Sequence, residues 1–277
     1  MKQLLIQSSV PVDYKFKRLT PEGVSAKDSC SFEWQGREFM ICDNQTTNGL
    51  ILYETIGGVF AEIKRLFEGW RYVWAPCIVE HKGRLILYFS DTAGVPGNFW
   101  ITQRIRYIDN FIPGHNYTSY QTLDLGNDKG VIDPDLIRIG DKFYLFYVII
   151  HWNRTRVGWE WWDIYYSVAD HPLGPYKEIH NVSQCVEGGI EEAPFFNPDD
   201  GYFYYSCGDS VAGSVIRRGK PIMNESGLNI EPDQKTIIAA ANSPTCTHPD
   251  AWHGKLRATL IDKPYIQGGE CYIGEME

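Results

Sequence analysis

The sequence lacks any apolar run approaching the about 18 residues of a membrane-spanning helix. It has no basic run longer than Arg217-Arg218 and no CxxC pair. The first absence argues against a membrane partner. The second, with 26 Lys+Arg against 35 Asp+Glu and a formal net charge of −9, argues against nucleic acid, polyphosphates and anionic lipid. Neutral and cationic ligands stay open. The seven cysteines (Cys30, Cys42, Cys77, Cys185, Cys207, Cys246 and Cys271) are odd in number and scattered. That pattern speaks against a disulfide framework and a zinc site, and for buried thiols in a reducing compartment. The apolar start, Leu4-Leu5-Ile6, is too short for a secretory signal. A cytoplasmic location is therefore expected, with secretion only if a signal has been removed. The sequons at Asn44, Asn116, Asn153, Asn181 and Asn224 are then expected to be chance matches.

Long windows of 3.6-residue periodicity are also missing. What is present is apolar and aromatic: 43% hydrophobic and 14% aromatic residues, ample for a sizeable core. Arg84–Ser90, Lys142–Val148 and Tyr202–Ser206 are short aromatic and branched runs bounded by Gly and Asp, a strand signature. Throughout, 26 Gly and 15 Pro punctuate the chain. The expectation is an all-β protein.

The spacing of these runs is the stronger signal. Five hairpin-like units open at Asp28, Trp74, Asp133, Glu192 and His248 and turn at Gly36, Gly83, Gly140, Gly201 and Gly254. The openings lie 46, 59, 59 and 56 residues apart, and prolines recur at their second or third positions. A β-sandwich also shows regular short strands, but here whole units resemble one another. A period near 55 predicts a five-bladed β-propeller that uses residues 1–277 as a single domain.

In a propeller the first strand of each blade runs along the axis, so the five openings would form one ring. Asp28, Asp133 and Glu192 would then converge with Trp74 and His248. Separate carboxylates across a pocket suit glycosidic cleavage, one as protonated acid and one as base for water. Clustering like charges raises the pKa of one member. Singly, each residue has a plainer explanation: Asp28 and Asp133 as turn residues, Glu191-Glu192 as a solvated edge, His248 as a loop histidine. Their shared place in the repeat is what lifts them together.

Asp133-Pro134, Trp74-Ala75-Pro76 and Glu192-Ala193-Pro194, with the segment Ser167–Tyr176, resemble signature elements of glycoside hydrolase family 43 over about Asp28 to Asp262. The resemblance implies a five-bladed propeller and single-displacement hydrolysis with inversion. The implied substrates are arabinans, xylans, α-L-arabinofuranosides or β-D-xylosides, so the expected partner is a saccharide. By position Asp28 matches the general base, Glu192 the general acid, and Asp133 the residue that tunes and orients the acid. Trp74 and His248 are expected to bind substrate. No metal enters the catalytic set and no organic cofactor is implied.

The sequence also departs from the family pattern. Asp28-Ser29 stands where Asp-Pro is usual, and Thr247-His248-Pro249 where a Gly-His pair is usual. In some relatives that His helps hold a hydrated calcium in the channel, which leaves a structural Ca²⁺ near His248 open. Two alternatives stand beside hydrolysis. One is a catalytically silent, carbohydrate-binding propeller. The other is a related enzyme that passes sugar to phosphate, for which Arg217, Arg218 and Lys220 are the basic candidates. Sugar platforms are available in Trp70, Trp100, Trp152, Trp159, Trp161 and Trp162, of which at most one of the last three is expected to serve.

Overall fold

The structure is a computed structural model describing residues 12–70, 72–92, 102–126, 129–152, 160–182, 191–209, 213–241, 243, 245–262 and 270–277. Its 21 described elements are all β-strands. Two short strands, β1 (Val12–Tyr14) and β2 (Phe16–Arg18), precede the first blade, formed by β3 (Ala26–Trp34), β4 (Arg37–Asn44), β5 (Leu50–Ile56) and β6 (Val59–Leu66). The second blade is β7 (Trp74–His81), β8 (Arg84–Asp91), β9 (Arg104–Phe111) and β10 (Gln121–Thr122). The third is β11 (Val131–Ile139), β12 (Lys142–Trp152), β13 (Glu160–Ala169) and β14 (Lys177–Asn181). The fourth is β15 (Glu191–Asn197), β16 (Tyr202–Asp209), β17 (Gly213–Asn224) and β18 (Gly227–Ala240). The fifth is β19 (Cys246–Trp252), β20 (Lys255–Ile261) and β21 (Cys271–Met276).

The chain closes its own ring. β2 pairs antiparallel with β21 as the outer strand of the fifth blade, Phe16 opposite Met276. β1 adds to the fourth blade, parallel to β18. Each blade is thus an antiparallel meander, and no long crossover is needed.

The apolar residues distribute as the meander requires. Alternation along each strand gives every sheet two faces, and each face packs against the next blade. Five clusters result, one per blade interface. Phe39, Leu52, Leu87 and Phe89 fill the first interface; Tyr88, Leu145 and Tyr147 fill the second. Phe146, Tyr166 and Phe203 fill the third, Ile216, Ala258 and Leu260 the fourth, and Met40, Tyr53 and Ile273 close the ring. Each fully buried large side chain contributes about 1.5–3 kcal/mol. Because the core lies between blades, polar groups can gather at the axis.

The five glycines picked from the sequence sit in the β-hairpin turns between each blade's first two strands, all at positive φ. At Gln35-Gly36, Lys82-Gly83 and His253-Gly254 both turn residues have positive φ, the two-residue geometry that matches strand twist.

The inner strands share a second device. Each has a bulge near its start: between Lys27 and Cys30, Trp74 and Cys77, Ile132 and Asp135, Glu192 and Phe195, and Thr247 and Asp250. The first bulged residue is Asp28, Ala75, Asp133, Ala193 or His248, with φ of 53°, 48°, 55°, 52° and 50° respectively. The second is proline in four blades and Ser29 in the first. Proline suits a bulge because no ladder partner is available for its missing N–H.

Candidate active site

This register corrects the ring read from the sequence. Asp28, Asp133 and His248 do share one position, but their equivalents in the second and fourth blades are Ala75 and Ala193. Trp74 and Glu192 stand one residue earlier, level with Lys27, Ile132 and Thr247. The site is therefore two stacked layers. One-residue spacing along a strand ordinarily reverses a side chain's face, and the bulge is what lets both layers serve one site.

The positive-φ amides are capped by a rule with two forms. Where the preceding blade has a carboxylate at the bulge, that carboxylate accepts the next amide: Ala193 N donates to Asp133 Oδ2 at 3.0 Å, and Ala75 N donates to Asp28. Where it has Ala or His, a hydroxyl on the preceding blade's second strand takes over. Asp133 N donates to Ser90 Oγ at 3.1 Å, His248 N to Ser206 Oγ at 2.8 Å, and Asp28 N to Thr259 Oγ1 at 3.0 Å. The Asp28 and Asp133 carboxylates are thus tied to the backbone bulges around them.

Asp28, Asp133, Glu192 and His248 are 4–6% exposed, so they converge in a buried cluster. His248 Nε2 lies 3.1 Å from Asp28 Oδ1 and 4.0 Å from Asp133 Oδ2. Thr247 Oγ1 lies 3.1 Å from Glu192 Oε1 and 3.1 Å from His248 Nδ1. Glu192, Thr247, His248 and Asp28 therefore form one continuous polar chain. Lys27 Nζ approaches Asp28 Oδ1 at 3.8 Å, and Asp43 faces Lys27 across the β3–β4 ladder.

Burial raises the Asp28 carboxyl, against the pull of Lys27 and the Ala75 amide. Burial, then the charges of Asp28 and Glu192, hold Asp133 well above the usual carboxylate range. Asp43 is pushed the same way by burial and Asp28. For Lys27 the lowering effect of burial is outweighed by Asp28, Asp43 and Glu192, so the ammonium stays charged. Burial and the Lys27 charge push His248 well below its ordinary value, so its imidazole is neutral.

Trp74 is half-buried against the core between the third and fourth blades, with Tyr72 edge-on at 5.6 Å. Trp70, 41% exposed, packs on Phe67 and Tyr120 in the connection leading to β7. Trp162 is half-buried in the blade core. Trp100, Trp159 and Cys185, with the side chains of Trp152 and Trp161, lie outside the described residues. Glu191 is buried, not at a solvated edge.

Arg217, Arg218 and Lys220 lie on β17, the third strand of its blade. There Arg218 pairs with Asp233 at 3.0 Å and covers the Tyr202 ring. They do not supply an anion site at the axis.

Asp133, Glu192 and His248 bring one ligand atom each within 4.8 Å of one another, so a calcium there, which takes about 6–8 oxygens, would draw most of its ligands from solvent. Asp133 Oδ2 and Glu192 Oε1 already have the Ala193 amide and Thr247 as partners. His248 Nδ1 meets Thr247, and Nε2 lies 3.1 Å from Asp28 Oδ1.

Lys27, Asp43, Thr247 and the capping hydroxyls were not singled out from the sequence. On the second strands the signal is a polar residue set against an apolar stretch: Asp43 after Phe39–Cys42, Ser90 after Leu85–Phe89, Ser206 after Tyr202–Tyr205, and Thr259 before Leu260-Ile261.

Beyond the bulges a cavity of about 460 Å³ extends toward the hairpin turns, lined by all five inner strands down to Asp199 and His253. Glu192, Thr247, Lys27 and Trp74 are not among its walls.

No family model and no curated protein sequence matches the chain. Solved structures do. An α-L-arabinofuranosidase from Lactobacillus brevis superposes with a TM-score of 0.65 at 16% identity, covering 93% of this chain and 92% of that one. An endo-arabinase from Bacteroides thetaiotaomicron gives 0.61 at 15%, covering 96% and 98%. A GH43_1 enzyme from Xanthomonas citri gives 0.63 at 12%, covering 95% and 90%. The fold is the five-bladed β-propeller of family-43 glycoside hydrolases.

Proposed function

We propose that this chain is a family-43-type glycoside hydrolase that cleaves arabinose- or xylose-containing saccharides with inversion. The observation that carries the reading is the buried convergence of Asp28, Asp133 and Glu192 around His248, three carboxyl groups carried on three different blades. Thr247 stands between Glu192 and His248 and so separates acid from base along the polar chain. An inverting pair needs one carboxyl loaded with a proton and the other ionised, and grouping like charges raises the pKa of one member.

Asp28 Oδ1 is buried without an aligned hydrogen bond, which suits an oxygen that takes a proton from water. In the proposed step Glu192 donates its proton to the leaving oxygen. Water attacks the anomeric carbon from the opposite face as its proton passes to Asp28. Asp133 and Glu192 lie close enough that the two carboxyls resist being ionised together, which favours keeping a proton on the pair. A hydroxyl and an imidazole stand between acid and base, which favours the inverting separation of roughly 6.5–9.5 Å over the retaining one near 5–5.5 Å. Solved relatives of this fold include a GH43_1 enzyme complexed with xylotriose and an exo-1,5-α-L-arabinanase, which supports a pentose-based saccharide as substrate.

The deciding experiment is proton NMR of the first product formed from nitrophenyl α-L-arabinofuranoside or β-D-xyloside. The anomer opposite to the substrate is expected. A retained anomer would remove Asp28 from the role of base, and no turnover on these glycosides, arabinan or xylan would favour the silent binder.

A further inference from the structure

Two residues past the first bulged position, the inner strands carry Cys30, Cys77, Asp135, Phe195 and Asp250, and all five line the cavity. Four of them accept a backbone amide from the next blade. Ile78 N donates to Cys30 Sγ at 3.2 Å, Leu136 N to Cys77, Phe196 N to Asp135 Oδ2 at 3.0 Å, and Ser31 N to Asp250. Phe195 breaks the series, so Asp250, Cys30, Cys77 and Asp135 follow one another around the axis. Stapling adjacent blades does not by itself call for thiols, which are weak hydrogen-bonding groups. Yet the two cysteines stand side by side, and a carboxylate flanks each end of the pair. The Cys77 thiol reaches Cys30 as a hydrogen-bond partner and lies 3.9 Å from Asp135 Oδ1. A further polar group in the same wall, the buried Ser29 hydroxyl, has no hydrogen-bond partner.

We propose that Cys30, Cys77 and Asp135 form a binding site for a thiophilic divalent cation of tetrahedral preference, such as zinc, with solvent from the cavity in the fourth position. Tetrahedral zinc, bonded at about 2.3 Å to sulfur and about 2.0–2.2 Å to carboxylate oxygen, spaces neighbouring ligand atoms about 3.6–3.8 Å apart. The Cys77–Asp135 pair is already close to that. The three ligand atoms now form a chain with Cys77 in the middle. Binding would require Cys30 to leave its bond from the Ile78 amide and turn about χ1 toward the other two. Amides donating to Cys77 and to the second oxygen of Asp135 orient these two ligands from behind.

Asp250 supplies nearby charge and is not a ligand. Its oxygens are taken by Ser31 Oγ at 2.6 Å and Ala251 N at 2.9 Å, and Arg257 braces Ser31 at 2.6 Å. The cation would tie the first three blades together two residues past Asp28 and Asp133. This site stands independently of the glycosidase reading.

The test is titration of the metal-stripped chain with Zn²⁺ by calorimetry, in a non-chelating reductant, and with Cd²⁺ by ultraviolet absorption. One bound equivalent, a thiolate-to-cadmium charge-transfer band and zinc protection of two thiols from Ellman's reagent are expected. Cys30→Ser and Cys77→Ser should each weaken zinc by at least the roughly 10–100-fold that losing an outer-shell partner costs, while His248→Gln leaves it unchanged. Absence of the thiolate band and of thiol protection in the wild-type chain overturns the site, whatever the variants do. So does zinc binding that survives the double cysteine variant but is lost in His248→Gln, which would place the ion in the catalytic cluster.

Discussion

The bulge layer and the layer two residues past it are built on the same backbone repeat, yet they use it in opposite ways. In the bulge layer the residue type changes from blade to blade, and the fold compensates. A carboxylate caps the next amide where there is one, and Ser90, Ser206 or Thr259 does so where there is not. In the layer beyond, four of five side chains perform the same task, accepting the next blade's amide, and differ only in chemistry. A repeat can therefore vary its functional residues freely only where a second strand takes over their structural duty. The two carboxylates kept at the bulge, Asp28 and Asp133, cap the next blade's amide, so replacing either should cost more stability than replacing Glu192.

The largest effect that sharpens this contrast is expected at Glu192, whose position caps no bulge amide. Glu192→Ala should lower cleavage of natural oligosaccharides by about 10²–10⁴-fold while sparing dinitrophenyl glycosides, whose leaving group needs no proton. Glu191→Ala should instead lower the melting temperature, since Glu191 is 1% exposed. Steady-state kinetics and thermal melts of both variants separate the two roles.

Next comes the polar chain. Thr247→Val keeps the shape of a fully buried residue and removes the hydroxyl between Glu192 and His248. An unmade buried hydrogen bond costs about 1–3 kcal/mol, so kcat/KM should fall roughly 5–150-fold, with recovery in Thr247→Ser. An unaffected Thr247→Val enzyme would mean that the chain does not hold the acid's proton.

A smaller effect is pH-dependent. His248 has a lowered folded-state pKa, so the unfolded chain binds its proton first as pH falls below about 6.5. Its contribution to stability is present above that value and is lost as pH falls from there toward the folded-state value. The slope is at most about 1.4 kcal/mol per pH unit for one group. Asp28, Asp43 and Asp133, all raised, act with the opposite sign, losing stability as pH rises from about 3.8 through their folded values. Denaturation of wild type and His248→Gln across pH 4–7 should show the acid-side loss reduced in the variant.

The smallest effect concerns the blade that breaks the proline rule. Ser29→Pro would match Pro76, Pro134, Pro194 and Pro249 and remove a buried hydroxyl that has no hydrogen-bond partner. A stabilisation of about 0.4–1 kcal/mol is expected from the stiffer unfolded chain, with kcat unchanged. A destabilised variant would show that the first bulge differs from the other four in backbone and not only in sequence.

Much of this architecture was legible before any coordinates. Glycine placed the five hairpin turns, because their positive φ is readily adopted without a Cβ, and aromatic runs placed β8, β12 and β16. The register was misread by one residue in two blades because chemistry-bearing residues, Trp74 and Glu192, were aligned with Asp28 and Asp133. The prolines held the correct frame: Pro76, Pro134, Pro194 and Pro249 are equivalent, and the residue before each is the bulged one.

The sequence alone determined the strand class and the number of repeats, and put Asp28 and Asp133 at equivalent places, since these follow from local periodicity and turn chemistry. Only the tertiary structure decided which groups touch. Thr247 lies 55 residues from Glu192, and Asp28 lies 231 residues from its cap, Thr259. Cys30 and Cys77 sit on adjacent inner strands although no short motif links them. Such contacts depend on closing the ring of blades, a long-range event in which a one-residue bulge selects which side chains reach the axis, and no local pattern encodes it.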